Sequence, residues 1–161
     1  MMTLAKTISL YLASEDETTR LGTWFGNRLG PRDVLLLEGP IGSGKSHFAR
    51  AIIRTMLGRA EDVPSPTFTL VQTYDLPDAR EIWHADLYRL THPDEVAELG
   101  LEQAFDRAVC IVEWPDRLGD LAPKGALTIV FEQEDDGRRV KLSGGAGWSD
   151  RLRALSEGWH D

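Results

Sequence analysis

The chain has one cysteine among its 161 residues, so no internal disulfide can form, and Cys110 lies in the apolar run AVCIVEW as a small hydrophobe. No apolar stretch approaches the roughly 18 to 20 residues a membrane-spanning helix needs. The first residues also lack the charged start and apolar middle of a secretory signal. A reducing, cytoplasmic setting is therefore expected. Positive charge is scarce: 18 Lys and Arg stand against 26 Asp and Glu, for a formal net charge of -8. This argues against a nucleic-acid clamp, which needs a basic footprint. A polyanionic ligand would have to meet a positive field concentrated in one place. Repeats and low-complexity segments are absent as well. What remains, 42% hydrophobic and 27% charged residues, is ordinary for a single globular domain spanning residues 1–161.

The stretch that organises the chain runs from Val34 to Ile52, VLLLEGPIGSGKSHFARAI. Val34 to Leu37 form an uninterrupted apolar run of the kind buried in parallel sheets. Phe48, Ala51, Ile52, Thr55 and Met56 recur at helical spacing, and Gly58 marks the end of that helix. Between strand and helix, Gly39, Gly44, Lys45 and Ser46 complete the pattern G-x-x-x-x-G-K-[ST], the phosphate-binding P-loop. Glycines let successive backbone N–H groups turn inward around a phosphate, and the helix adds its positive N-terminal end. Lys45 supplies a mobile charge for the outer phosphates, and the Ser46 hydroxyl is a ligand for Mg²⁺.

On either side of this unit the sequence predicts a short strand over Thr7 to Leu12. A helix follows, opened by Ser14 and Glu17 as a capping box and running to about Leu29, with Leu21, Trp24 and Phe25 on one face. The start of that helix could border a nucleotide base or simply cover the sheet. Thr67 to Tyr74 and Glu81 to Tyr88 read as a hairpin around the Leu76-Pro77-Asp78-Ala79 turn. On its return strand, period-two geometry puts His84, Asp86 and Tyr88 on one face and Trp83, Ala85 and Leu87 on the other. No second His or Cys lies at ligand spacing to make His84 a zinc site.

Pro93, Asp94 and Glu95 open a short helix, and Leu101 to Phe105 form another. Ala108 to Val112 is a second wholly apolar run, and it closes on Glu113. In parallel α/β sheets, ligands sit at the carboxyl ends of strands. Glu113 is thus a candidate acid beside a P-loop Mg²⁺. Leu127 to Glu132 and Arg138 to Ser143 read as two strands joined at Asp135, Asp136 and Gly137. Gly144 to Gly147 reads as a flexible connector, and Trp148 to Leu155 as a last helix, whose Arg151 and Arg153 could reach a phosphate but are more commonly explained as exposed helix charge.

Four segments, GPIGSGKS (Gly39 to Ser46), SPTFTLVQTY (Ser65 to Tyr74), HADLYRL (His84 to Leu90) and IVEWPDRL (Ile111 to Leu118), together resemble the TsaE (YjeE) family. The resemblance runs from the first helix to about Phe131. It implies an α/β, three-layer P-loop NTPase-like fold with a mixed parallel and antiparallel sheet. It also implies a weak, Mg²⁺-dependent ATPase needed for threonylcarbamoyladenosine in tRNAs that read codons beginning with A. Such a protein acts with TsaD and TsaB and reaches tRNA only through that complex. Carried across by motif, Gly39, Ile41, Gly42, Ser43, Gly44, Lys45, Ser46 and His47 hold ATP or ADP, and Ser46 and Glu113 place Mg²⁺. Lys45, Thr67, Asp86 and Glu113 serve the reaction: Thr67 senses the γ-phosphate, and Asp86 orients water or reaches magnesium through water. His84 and Trp114 stand beside the site. Pro40 departs from the family pattern, which often has Asp there.

The competing class is a small P-loop metabolite kinase, which needs a second substrate pocket and an arginine-bearing lid. Arg117, Arg138 and Arg139 are scattered through the sequence and form no such lid segment.

Overall fold

The alternation of aliphatic strands and amphipathic helices closes into one mixed seven-stranded sheet. The computed structural model describes residues 6–58, 63–64, 66, 70–92 and 94–159. Its strands are β1 (Lys6–Leu12), β2 (Val34–Glu38), β3 (Val71–Asp75), β4 (Glu81–Asp86), β5 (Val109–Glu113), β6 (Leu127–Glu134) and β7 (Gly137–Gly144). Its helices are α1 (Glu15–Gly26), α2 (Lys45–Leu57), α3 (Asp94–Leu99), α4 (Leu101–Phe105) and α5 (Ala146–Gly158), with a 3₁₀ segment at Pro115–Leu121. The strand order is β1-β7-β6-β2-β5-β4-β3. The four central strands β6, β2, β5 and β4 run parallel, and β1, β7 and β3 are added antiparallel at the sides.

Both apolar runs are therefore central, covered on two faces, which is why they carry no polar alternation. Leu35 and Leu37 of β2, with Val109 and Ile111 of β5, face α1, α2 and α5. Val34 and Leu36, with Cys110 and Val112, face α3, α4 and the 3₁₀ segment. The sheet is thus the middle of three layers. Burial pushes the Cys110 thiol pKa up to about 12, so it behaves as the inert hydrophobe expected from its surroundings.

The site-forming ends are well defined. Ser14 caps α1, its side chain accepting from the Glu17 N–H, while the Glu17 carboxylate takes the Ala13 N–H rather than that of Ser14. The helix stops at Gly26, three residues before the predicted end, and buried Leu29 packs from the turn that follows. Gly58 closes α2 in the left-handed conformation, φ 73°, as its position required. The predicted hairpin is present as β3 and β4, but its first described strand residue is Val71; Ser65, Thr67 and Pro93 lie outside the described residues.

The C-terminal reading needs correction. Gly144 ends β7 and Gly145 caps α5, so residues 144–147 are no connector between elements. A Cβ on Gly144 would lie 2.8 Å from the Trp148 Cβ, so glycine is required there for close approach. Trp148, Leu152, Leu155 and Trp159 join the main core. Arg151 is not a free surface charge: it donates to both carboxylate oxygens of Asp33 at 2.7 and 3.0 Å and covers the Trp148 ring at 3.7 Å.

Candidate functional site

At the carboxyl ends of β2, β4 and β5 the glycine loop turns from Glu38 into α2. Gly39, Gly42 and Gly44 have φ of 146, 79 and 103°. These are values that side chains resist and glycine adopts freely, which lets the loop curve tightly. The loop rests on β6: a Cβ on Gly39 would stand 2.7 Å from the Phe131 carbonyl oxygen. Lys45, the first residue of α2, folds back so that its ammonium donates to the Gly39 carbonyl, approaches the Pro40 carbonyl at 3.4 Å and lies 3.9 Å from the centre of the Trp114 ring. Burial lowers the Lys45 pKa, against the fields of Glu113, Asp86 and Asp116, which raise it.

The carboxylates meet beneath this lysine. Glu113, at the end of β5, is 1% exposed. One of its oxygens accepts from the Ser46 hydroxyl at 2.8 Å, and the other bonds the His84 Nε2 at 2.7 Å. His84 and Asp86 share a face of β4, as the period of two required, and that face points to the α2 layer, not to solvent. They are 0% and 6% exposed. Asp86 sits in register with Glu113 across the β4–β5 ladder. His84 Nδ1 is buried with no partner among the described residues. The contact with Glu113 is made through Nε2, whose N–H donates to the carboxylate. Trp114, next after Glu113, takes the left-handed conformation (φ 59°), which turns the chain out of β5. Its ring meets that of Tyr88 at 4.8 Å.

Gly42, Gly44, Lys45, Ser46, Asp86, Glu113 and Trp114 line a cavity of about 710 Å³, in the range of small-molecule sites, while Gly39 and His84 stand behind its wall. Ser14, Glu15 and Thr18 at the start of α1 line it, which favours the bordering role over mere sheet cover. His47 lines it too, although its Nε2 is engaged with the Thr19 hydroxyl at 2.7 Å. Ile41 is at the rim and 74% exposed. Lys45, Arg50, Arg89 and Arg138 face the cavity with four carboxylates. These side chains balance, so the concentrated positive field expected from the sequence is not a surplus of cations; what the site has in addition is the loop N–H groups and the N-terminal end of α2.

A nucleotide with Mg²⁺ fits this chemistry. The loop offers glycine-enabled N–H groups, and Ser46 and Glu113 present a hydroxyl and a carboxylate oxygen already in contact. No group of three or more metal-binding side chains occurs among the described residues. Mg²⁺ is usually held by one or two side chains plus phosphate oxygens and water, and Ser46 and Glu113 are two side chains of the right chemistry. Arg138 is the residue that sequence reasoning missed. It lies on β7, yet its Nε donates to the Ser43 carbonyl at 2.8 Å and its Nη2 to the Gly42 carbonyl at 3.0 Å. No local signal marks it, because the contact spans the whole middle of the chain.

Fold and site together define a mixed-sheet α/β protein of the P-loop NTPase-like kind, its site gathered at the strand ends around the loop. The family model for "Threonylcarbamoyl adenosine biosynthesis protein TsaE" matches residues 12–140, and the chain belongs to the TsaE family. Proteins named tRNA threonylcarbamoyladenosine biosynthesis protein TsaE from Rickettsia bellii and Bacillus subtilis are 39% and 37% identical to it. The first alignment covers 80% of this chain and 89% of the relative, and the second 68% and 67%. A crystal structure of Bacillus subtilis YdiB superposes with a TM-score of 0.78 at 27% identity, covering 96% of this chain and 97% of that one. The family match extends past Phe131 to Val140, and so takes in Arg138.

Proposed function

We propose that this chain is the Mg²⁺-dependent ATP-binding and ATP-hydrolysing component of tRNA N6-threonylcarbamoyladenosine synthesis, acting in the cytoplasm with TsaD and TsaB. The observation that carries the reading is the Ser46 hydroxyl held 2.8 Å from a buried Glu113 oxygen at the foot of the glycine loop, beside Lys45. That is where the β- and γ-phosphates of a nucleotide on this loop would lie. Ser46 and Glu113 would hold Mg²⁺, which supplies charge neutralisation to the phosphates. Lys45 leaves its carbonyl contacts to bind phosphate oxygens, His84 holds Glu113 in place, and Asp86 orients the attacking water. Thr67 is proposed as the γ-phosphate sensor from its motif alone.

The partner part of the reading is supported by the rim. Ile41 and Tyr88 are large apolar side chains left 74% and 41% exposed, and both line the nucleotide cavity. A partner that covers them would cover the nucleotide. Among the described residues no helix is long and apolar enough to cross a membrane.

The test is phosphate release from ATP by the unaltered chain, Lys45→Ala and Glu113→Ala, each with and without TsaD and TsaB. The expected result is slow release by the unaltered chain that changes when the partners are added, and a loss of about 100-fold or more in either variant. Equal release by all three would remove the site. Stoichiometric transfer of phosphate to an added metabolite would assign the chain to the small P-loop kinases instead.

A further inference from the structure

Arg138 is bound on both sides of its guanidinium. Nη1 donates to the Gln133 side-chain oxygen at 2.8 Å and to the Gly137 carbonyl at 3.3 Å, which fixes the group on the β6–β7 hairpin. Nε and Nη2 donate across to the carbonyls of Ser43 and Gly42. The rigid planar fork of an arginine can hold two neighbouring carbonyls at once.

The consequence follows from peptide geometry. In a trans peptide the C=O and N–H point in opposite directions. A Ser43 carbonyl directed at Arg138 therefore directs the Gly44 N–H the other way, away from Arg138. The Gly44 N–H donates to no backbone carbonyl among the described residues. The Ser43 N–H, whose peptide carries the Gly42 carbonyl, closes a turn onto the Pro40 carbonyl at 3.2 Å. The loop is thus pinned by two bonds to one guanidinium, with the Gly44 donor left for a ligand. Without the pin, glycine at 42 and 44 allows these peptides to rotate, because glycine tolerates either sign of φ.

We propose that Arg138 is a positioning residue of the nucleotide site: it holds the Gly42 and Ser43 carbonyls so that the Gly44 N–H is set in advance toward the phosphates. This rests on the reading of the loop as a phosphate cradle. The role differs from simple charge attraction, since it requires the fork and its anchorage on Gln133 and Gly137. It also gives the β6–β7 hairpin a task in the site that its distance in sequence conceals.

The experiment is calorimetric titration of ADP with Mg²⁺ into the unaltered chain, Arg138→Met, Arg138→Lys and Lys45→Ala, with the ¹⁵N-labelled amide spectrum of each nucleotide-free protein. Arg138→Met is expected to bind about tenfold more weakly. Its KM for ATP should rise by more than kcat falls, and the Gly44 amide resonance should move or broaden. Its nucleotide-free melting temperature should stay within about 2 °C of the unaltered chain, as for a substitution outside the core. Arg138→Lys is expected to recover little of the loss, because a point charge cannot hold both carbonyls. Full recovery by lysine would overturn the proposal in favour of plain charge, and so would unchanged affinity in Arg138→Met or an unmoved Gly44 amide. Unchanged affinity in Lys45→Ala would remove the cradle itself and the proposal with it, an outcome distinct from failure at Arg138 alone.

Discussion

Glu113→Gln is expected to leave nucleotide binding largely in place while slowing ATP hydrolysis by about 100-fold or more. Glutamine matches the volume of the buried acid, so the core beneath the loop is preserved. It lacks the charge that Mg²⁺ and the reaction need, and it has one acceptor where the carboxylate serves both Ser46 and His84. An amide there can turn its oxygen to the His84 Nε2–H and donate its NH₂ to the Ser46 hydroxyl oxygen, so both buried contacts keep a partner. A second readout concerns Lys45. The Glu113 carboxylate is the leading influence raising its pKa against burial. With that charge removed the Lys45 pKa falls further, so nucleotide binding should be lost at a lower pH on the alkaline side than in the unaltered chain. Measurement of kcat, Kd and the pH dependence of Kd on one preparation checks all three. Hydrolysis at the unaltered rate would show that Glu113 is only a core acid.

Phe131→Ala is expected to cost about 3 to 5 kcal/mol of folding stability. The ring is fully buried and packs 5.5 Å from that of Phe48, which in turn meets Phe25 at 5.8 Å, so a line of three aromatic rings ties β6 through α2 to α1. Total stabilities of about 5 to 15 kcal/mol make this loss close to limiting for a small domain. It also reaches the site, because the residue's backbone closes against Gly39 and its ring edge lies 3.9 Å from where a Gly44 side chain would begin. Urea unfolding with an unchanged m-value and a much lower midpoint is the expected result. A change under about 1 kcal/mol would mean that the aromatic line is not what supports the loop.

Both expectations draw on features that the sequence made legible to different degrees. The strand, loop and helix from Val34 to Leu57 could be read directly, since a continuous aliphatic run, fixed glycines and helical spacing are all local signals. Glu113 was legible because a single acid closes a wholly apolar run. The pairing of His84 with Asp86 on one face was legible too. Which layer that face meets was not, because a period of two gives relative facing only, and the answer depends on β5 lying alongside.

Arg138 was illegible for a stronger reason: its partners are carbonyl oxygens of Gly42 and Ser43, and backbone acceptors leave no mark on the sequence. Gly144 to Gly147 misled in the opposite way. A cluster of small residues reads as a connector, whereas Gly144 is needed so that Trp148 can lie against the end of β7. Arg151 likewise has its meaning from Asp33, a residue in the turn before β2.

The central claim is that nucleotide chemistry at Lys45, Ser46 and Glu113 serves threonylcarbamoyladenosine formation in tRNA. It is tested most directly by measuring that nucleoside by mass spectrometry in tRNA from cells depleted of this protein and supplied with the unaltered chain or Glu113→Gln. The account predicts that the modification falls on depletion, returns with the unaltered chain and stays low with Glu113→Gln. An unchanged level on depletion, or full restoration by Glu113→Gln, would contradict it.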